Sequence, residues 1–527
     1  MADSPAPRAR FWRTTLLTLA LFLTVFAAVG ALFGAADAAP VAAASRNLSS
    51  AVSVTPWPLR VVSLLGIGVF LFVAWLMSEH RREIQWRLVA VGMTAQFLLV
   101  LFVLKTSIGQ WIFAGLGAGF MKLLSFTNAG TSLLFGSFAA QGEIMPALMS
   151  PAFAVFPTII FFASLTALLY HWRVLPWLVD KAGRLMRVTM GTSGAESLSA
   201  AGNLFVGMTE APLLVKPYIS RMTMSELMSL MTVGFATVAG GVMATYIAFL
   251  QPHIPDIAQH LIAASVMSAP GGLVIAKILW PETETPETSL GSGEIAKSTY
   301  TNAIDAAADG AWNGLQLVLA VGAMLLAFVA LIACFNWLVA LPTYLHHGVS
   351  LRSLWSSIPE LGAVPAELLA SCDPATAAFE ARAACIHALA EFAPMSSALT
   401  VPEPLSLQQI LGWAFYPFAV LSGVPLADAP HLAELYGQRL VLNEFIAYFA
   451  LTEKLADPSL ALSPRTIIIA SYGLCGFANI GSIAIQIGGI GGMAPERRSD
   501  LAKIGVRAMI GGTLTTWITA NIVGVIL

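Results

Sequence analysis

Long apolar runs of about 20 residues alternate along this chain with short polar segments. Eight of these runs lie at about 60–78, 88–105, 153–171, 223–251, 256–279, 310–341, 464–488 and in a last span that ends at residue 527. A helix of that length crosses roughly 30 Å of hydrocarbon. With a ninth run near the N-terminus, the pattern predicts an all-α polytopic membrane protein with about nine transmembrane helices.

The N-terminal run, at about 11–36, has two interpretations. Three arginines (8, 10 and 13) lie before or at its start, which suits a retained helix with a cytoplasmic N-terminus. The small residues 36–38 (ADA) instead resemble a signal-peptide cleavage site. We favour the retained helix. In either case residues 40–58 lie outside, and the downstream topology is the same.

Short basic loops predict the orientation of the chain. Residues 79–87, 173–187 and 495–507 are rich in Arg and Lys, as cytoplasmic loops are. Placing all of them inside gives a multi-pass protein of the cell inner membrane with a cytoplasmic N-terminus and an external C-terminus. Residues 108–150 are rich in Gly, Ser and Ala, which favours an interfacial helix and a loop over a full span.

Residues 343–404 interrupt the apolar pattern with Pro, Ser and acidic residues, and we predict an external insert there. The insert contains Cys372 and Cys385. An oxidising compartment outside the membrane permits a disulfide between them. Two unpaired thiols are the equal alternative.

Polar side chains within the apolar regions concentrate at 197–217 and 438–482, and both places are broken by Gly and Pro. Paired broken segments in two halves of a membrane protein are a sequence signal of a transporter site. Asn, Ser and Thr also bridge packed helices without any further role. That explanation fits Glu210 and Glu444 poorly, because a buried carboxylate needs a partner, water or a proton.

The composition sets limits on function. Hydrophobic residues make up 57% and charged residues 11% of the chain, which excludes a soluble globular protein. The net charge of −2 gives no reason to expect a nucleic-acid partner. Phosphate-binding, zinc-protease and hydrolase motifs do not occur in the sequence, so we expect neither an enzyme nor a cofactor.

Five short motifs follow one another along the chain: GTSGAES at 191–197, GMTEAPL at 207–213, GFAT at 234–237, NEFIAY at 443–448 and GFAN at 476–479. In this order the chain resembles the concentrative nucleoside transporters over about 190–527. The resemblance implies a homotrimer in membrane lipid, with a scaffold domain and a transport domain in each protomer. The transport domain would move like an elevator and carry two oppositely oriented re-entrant hairpins, at about 195–221 and 405–450.

On that plan the chain divides into six parts. They are the N-terminal helix or signal peptide with an external linker (1–58), the N-terminal scaffold helices and interfacial helix (59–190), the first hairpin and following transport helices (191–304), a long scaffold helix (305–342), the external insert (343–404) and the second hairpin with the C-terminal transport helices (405–527). The N-terminal helix and the insert are less typical of the family.

The resemblance also implies which residues bind a nucleoside. Thr209 and Glu210 match positions that contact the nucleobase, and Glu444 matches an acid that binds ribose hydroxyls. The remaining matches are Asn479 and Ser482 for the ribose and Phe477 and Val242 for apolar contacts. Vicinal hydroxyls suit carboxylate and amide acceptors, so the chemistry agrees with the resemblance.

The sequence departs from the family at Met208, where well-known members carry a glutamine that hydrogen-bonds the base. A thioether is only a weak acceptor, although it is polarizable and adapts to aromatic faces. We therefore predict weaker discrimination between purine and pyrimidine nucleosides than in relatives with the glutamine.

For the coupling ion, the resemblance implies a sodium site formed by the Asn203 side chain, the Val206 and Val238 carbonyls and the Thr237 hydroxyl. Oxygen ligands at the ends of broken helices suit such a cation. We favour sodium as the coupling ion. The alternatives are a proton-coupled symporter of the same fold, with the proton on Glu210 or Glu444, and a non-transporting membrane gate or sensor.

Overall fold

The computed structural model describes residues 56–135, 156–288, 300–357, 364–378, 381–390 and 404–527. These residues form helices and connecting turns without a strand, which confirms the predicted all-α class. They divide into two compact units, one made of the described residues up to Gly322 with Phe415–Leu527, the other of those in Ala323–Ala414. The predicted apolar run at 11–36 lies outside the described residues.

Five helices of the described residues precede the first predicted hairpin. They are α1 (Trp57–Leu76), α2 (Trp86–Lys105), α3 (Ser107–Phe135), α4 (Phe156–His171) and α5 (Val174–Met190). The axes of α4 and α5 are bent by 78° relative to one another at the short break between them. Helix α5 ends at Gly191, whose φ of 75° gives the left-handed geometry with which many helices terminate.

The first hairpin is short and mostly irregular. It consists of α6 (Gly194–Gly202), a turn at 203–210, a 3₁₀ helix (Ala211–Val215) and the single turn α7 (Lys216–Ile219). A capping box starts α6, because Ser193 Oγ accepts from Glu196 N and Ser193 N donates to Glu196 Oε1. Glu196 also forms a buried ion pair with Lys277, at 2.8 Å between Nζ and Oε2.

The following helices are α8 (Met224–Ala236), α9 (Gly240–Leu250), α10 (Ile257–Leu279) and α11 (Ala303–Ser357). A second capping box, formed by Thr223 and Glu226, starts α8. The apolar run predicted at about 223–251 is therefore helical but broken at residues 237–239, so the backbone at the end of α8 is free of the regular helical ladder.

The second compact unit contains the C-terminal part of α11, from Ala323 onward, and two short helices, α12 (Ala366–Cys372) and α13 (Arg382–Ala390). Cys372 and Cys385 form a disulfide, one of the two alternatives that the sequence leaves open. The long helix continues to Ser357, past the start of the predicted insert at 343. The reason is that its apolar side chains there, among them Leu351 and Leu354, pack with residues of α13 in a common core.

Six helices complete the chain. They are α14 (Leu407–Leu421), α15 (Ala429–Val441), α16 (Glu444–Ala456), α17 (Pro464–Gly473), α18 (Ile480–Met493) and α19 (Arg498–Ile526). In the region predicted as the second hairpin, a separate helix comes first, and the turn before Glu444 joins α15 to α16. The run predicted at about 464–488 forms two helices with a break at residues 474–479.

Among the described residues, five helices and the broken pair α8–α9 are long and apolar enough to cross a membrane, and the bent pair α4–α5 makes a seventh span. The prediction of about nine spans differs from this number at two places. One is the run at 11–36, which lies outside the described residues, and the other is 464–488, where the break leaves two shorter helices. The helix α3 begins where the interfacial helix is predicted and is not among the candidate spans.

Candidate functional site

The turn of the first hairpin lies against the break between α8 and α9. A methyl group added at Gly207 would be 3.3 Å from the Ala239 Cβ, and one at Gly240 would be 3.3 Å from the Phe205 carbonyl oxygen. Two irregular segments that are more than 25 positions apart in sequence are thus in contact. Backbone ends that have left a helix are where transporters bind ions and polar substrates.

The third irregular segment, between α17 and α18, meets the end of α8 at Gly476. This glycine has a φ of 151°, which side chains rarely permit. A Cβ there would be 2.8 Å from the Phe235 carbonyl oxygen and 3.0 Å from that of Ala236. The end of α8 therefore lies between the first hairpin turn on one side and the α17–α18 break on the other.

Glu444 is the first residue of α16, and both of its carboxylate oxygens accept hydrogen bonds. Tyr246 donates its hydroxyl to Oε1 at 2.9 Å, and Asn479 donates Nδ2 to Oε2 at 3.0 Å. The Asn479 Oδ1 in turn accepts from the Ser482 backbone N–H and caps α18. A carboxylate offers about four lone-pair sites, so Glu444 keeps acceptor capacity for further donors.

Arg439, on α15, is buried beside the same break. Its side chain is 1% exposed, and Nε donates to the Gly476 carbonyl oxygen at 3.3 Å. Neither Nη atom has a hydrogen-bond partner among the described residues. A buried cation near a buried carboxylate reduces the cost of keeping either charge away from water.

The predicted sodium ligands lie on the two segments that meet at the first hairpin turn. Asn203 and Val206 belong to the turn, Thr237 and Val238 belong to the α8–α9 break, and all four are buried. Asn203 Nδ2 donates to the Ser199 carbonyl, but Oδ1 finds no hydrogen-bond partner in the described part of the chain. Thr237 Oγ1 donates to the Val233 carbonyl and retains its lone pairs. A buried acceptor oxygen with no donor fits a cation.

Met208 and Thr209 lie against α18. The Met208 Sδ is 3.5 Å from the Nε2 of the buried Gln486, and a methyl group at Gly489 would be 3.2 Å from the Thr209 Cγ2. The same helix carries Ser482 and is capped by Asn479. It therefore connects the predicted base-binding residues with the predicted ribose-binding residues.

Glu210 and Val242 contribute to a cavity of about 390 Å³ that lies between the first hairpin turn and α4. Val206 also lines it, together with Phe162, Tyr170 and Asn313. Ligand pockets of small molecules begin at about 300 Å³. Glu210 is exposed, whereas Thr209, Glu444, Phe477, Asn479 and Ser482 lie outside this lining.

Three residues at the site were not predicted, namely Tyr246, Arg439 and Gln486. Each is a polar or charged side chain within a predominantly apolar segment, and a buried group of this kind needs a partner. That signal is present in the sequence, but it does not tell which of many distant residues is the partner. Phe477, which was predicted, is half-buried, and its carbonyl oxygen accepts from Asn479 N.

Family models match most of this chain. The family described as Na+ dependent nucleoside transporter matches with its N-terminal part at residues 65–138 and with its C-terminal part at residues 260–360 and 375–524. The family described as a gate for nucleoside recognition matches at residues 152–253, which include the first hairpin and the α8–α9 break.

Similar proteins occur in animals and bacteria. Sodium/nucleoside cotransporter 1 of Mus musculus is 36% identical over 483 residues, 89% of this chain and 64% of that protein. Nucleoside permease NupC of Helicobacter pylori is 36% identical over 465 residues, 88% of this chain and 96% of that protein. This chain spans about 60% of the length of the vertebrate relatives that it matches.

Among solved structures, that of CNTnw in an inward-facing, substrate-bound state is similar in fold and sequence. It has a TM-score of 0.70 and 38% identity, over 88% of this chain and 98% of that one.

Proposed function

The chain belongs to the concentrative nucleoside transporter family, and from this premise we propose that it takes up nucleosides across the cell inner membrane by symport with sodium. Its fold is that of an elevator-type transporter. The observation that carries the proposal is the hydrogen bond between Asn479 and Glu444, which joins the second hairpin to the broken helix pair α17–α18. It holds a carboxylate with spare acceptor capacity beside an amide, a combination that suits the vicinal hydroxyls of a ribose.

Two observations support sodium as the coupling ion. Asn203 has a buried side-chain oxygen without a donor among the described residues, and it lies on the segment that contacts the α8–α9 break. The second is the name of the mouse relative, which describes a sodium/nucleoside cotransporter. The residues Asn203, Val206, Thr237 and Val238 would bind the ion through oxygen atoms.

The remaining parts of the proposal concern assembly and orientation. We expect a homotrimer with a cytoplasmic N-terminus and an external C-terminus, because the short basic loops suit the cytoplasmic face. The six predicted parts of the chain belong to the same proposal, with the long helix extended to Ser357. Accessibility of single cysteines introduced at residue 80 and at residue 527 to a membrane-impermeant thiol reagent tests the orientation.

Uptake into proteoliposomes tests the function directly. Purified protein is reconstituted, and radiolabelled uridine and adenosine are offered with an inward sodium gradient, an inward proton gradient or neither. Accumulation that requires the sodium gradient supports the proposal. Accumulation with the proton gradient alone identifies the proton-coupled alternative, and absence of uptake under all three conditions contradicts a transport function.

A further inference from the structure

We propose that Gln486 recognises the nucleobase, by accepting a hydrogen bond from a donor on the edge of the base through its Oε1. This inference rests on the proposed function, since it names the part of the nucleoside that the same site distinguishes. Gln486 would thereby supply an amide at a place where the hairpin turn offers only the thioether of Met208.

The position of Gln486 on α18 is the first support. It follows Ser482 by one helical turn, and residues four apart lie on the same face of a helix. Gly489, one turn further, faces Thr209. Gln486 therefore lies between the predicted ribose-binding end of α18 and the predicted base-binding residues of the hairpin turn.

Hydrogen bonding determines the orientation of the amide. Gln486 Nε2 donates to the Met231 carbonyl oxygen at 3.2 Å, and only the nitrogen of the amide can do so. The same nitrogen contacts the Met208 Sδ at 3.5 Å. The oxygen is consequently the free end of the side chain, and Oε1 is buried without a hydrogen-bond partner in the described residues.

An unpartnered amide oxygen does not by itself indicate a ligand. Gln96, on α2, has the same features, because its Nε2 donates to the Met267 carbonyl oxygen and its buried Oε1 also lacks a partner among the described residues. What distinguishes Gln486 is its contact with Met208 and its place on the helix face that carries Ser482. Gln96 is for this reason a matched control.

Gly234 lets Gln486 and Met208 approach each other closely, so a base reaches Gln486 only when the Met208 side chain moves. A methyl group at Gly234 would lie 2.8 Å from Gln486 Nε2 and 3.1 Å from the Met208 Cβ, so only glycine lets both side chains meet here. Methionine is unbranched and flexible, and its thioether packs favourably against aromatic rings. Met208 can turn away from Gln486 and pack on the face of a base while Gln486 engages its edge.

The chemistry defines the substrate class. A single acceptor oxygen pairs with an exocyclic amino group, which adenosine and cytidine both carry, irrespective of the size of the ring. The site should therefore prefer bases with an amino group over the same bases without one. It should discriminate only weakly between purines and pyrimidines.

Paired analogues test this preference in proteoliposomes with a sodium gradient. Inhibition of labelled uridine uptake is measured for adenosine against purine riboside, and for cytidine against pyrimidin-2-one riboside, each pair differing in the amino group alone. The wild-type protein should bind the amino form roughly 3- to 10-fold more tightly, as one neutral hydrogen bond suggests. Gln486→Leu should abolish the difference within each pair, and Gln96→Leu should retain it.

Two results would overturn the inference while leaving nucleoside transport intact. One is equal inhibition by both members of each pair in the wild-type protein, which needs no variant to fold. The other is a Gln486→Leu protein that transports uridine and keeps the wild-type preference. A wild-type protein that takes up no nucleoside contradicts the proposed function itself, and the inference with it.

Discussion

The turn of each hairpin carries an asparagine and a glutamate, but the hydrogen bonding of these side chains differs between the two turns. In the second hairpin, Asn443 caps α16 by accepting from the Ile446 N–H, and both oxygens of Glu444 accept hydrogen bonds. In the first hairpin, Asn203 has a side-chain oxygen without a partner among the described residues, and Glu210 is exposed.

The difference follows from how the chain continues after each turn. A regular helix starts directly at Glu444, and a negative charge is favourable at a helix N-terminus. After the first turn, a short 3₁₀ helix with Pro212 at its second position follows, and its preceding residue Glu210 makes no side-chain cap. The second turn is therefore preformed. In the first turn, the buried Asn203 Oδ1 has no donor among the described residues, and the turn suits the ion and the more variable part of the substrate.

Replacing the two carboxylates tests this comparison with the largest expected effect. Glu444→Ala removes the hydrogen-bond partner of Tyr246 and of Asn479, so the midpoint of thermal unfolding in detergent should fall. It also removes the proposed acceptor of the ribose hydroxyls. Because hydrogen bonds to a charged group contribute about 1.5–3 kcal/mol each, we expect uridine affinity to fall roughly 100-fold. Glu210→Ala should lower affinity without changing that midpoint, because the side chain is exposed.

The substrate itself provides the control for Glu444. The loss of affinity should be larger for uridine than for 3'-deoxyuridine, because the analogue already lacks a hydroxyl that the carboxylate would bind. Equal losses for both compounds would mean that Glu444 is structural. Equal destabilisation by the Glu210 and Glu444 variants would contradict the distinction between a preformed and an incomplete turn.

The incomplete first turn predicts a specific effect on sodium. Asn203→Ala should raise the sodium concentration for half-maximal uptake by roughly 10-fold or more, as the loss of one bond to a charge suggests. Asn521→Ala is the matched control, because Asn521 is also buried with an unpartnered Oδ1 within the described structure but contacts Ser63 and Leu421 instead. Uptake by Asn203→Ala that keeps the wild-type sodium dependence would exclude this assignment.

Tyr246→Phe tests the preformed second turn with a smaller structural change. The variant keeps the ring, which stacks on Tyr448 with centroids 4.5 Å apart, and removes only the bond to Glu444 Oε1. Since Tyr246 orients the carboxylate, KM for uridine should rise roughly 10-fold, with the sodium dependence unchanged. A parallel change in sodium dependence would show that the two turns are not separate functional parts.

Much of the fold can be predicted from the sequence because apolar runs and Gly/Pro breaks are local signals. The break within 223–251 and the one at Gly476 both fall where polar motifs interrupt an apolar run. The start of the second hairpin is less well predicted. Apolar residues predominate from 405 to 451, and the Gly423 and Pro425 of the turn after Leu421 do not by themselves show that α14 is separate from the hairpin arm α15.

The contacts that define the site cannot be predicted from such local signals. Tyr246 and Glu444 are 198 positions apart, and Met208 and Gln486 are 278 positions apart. Such pairs depend on how whole helices pack, which no periodicity within one segment specifies. The sequence indicates that Glu444 needs a partner, and the resemblance to the family assigns Asn479 to the ribose, but neither leads to Tyr246 or Gln486.

The smallest predicted effect concerns Met208. This residue of the first turn contacts α18 through a thioether, which has little hydrogen-bonding capacity. Met208→Gln would place a second amide beside Gln486, with both donors and an acceptor available to the base. We expect discrimination between purine and pyrimidine nucleosides to sharpen by roughly 3- to 10-fold, the value of one neutral hydrogen bond. Competition by inosine and uridine for labelled adenosine uptake measures it, with Met208→Leu as the apolar control. If the wild-type protein already discriminates strongly and Met208→Gln changes nothing, the turn does not contact the base, and the first hairpin serves the ion alone.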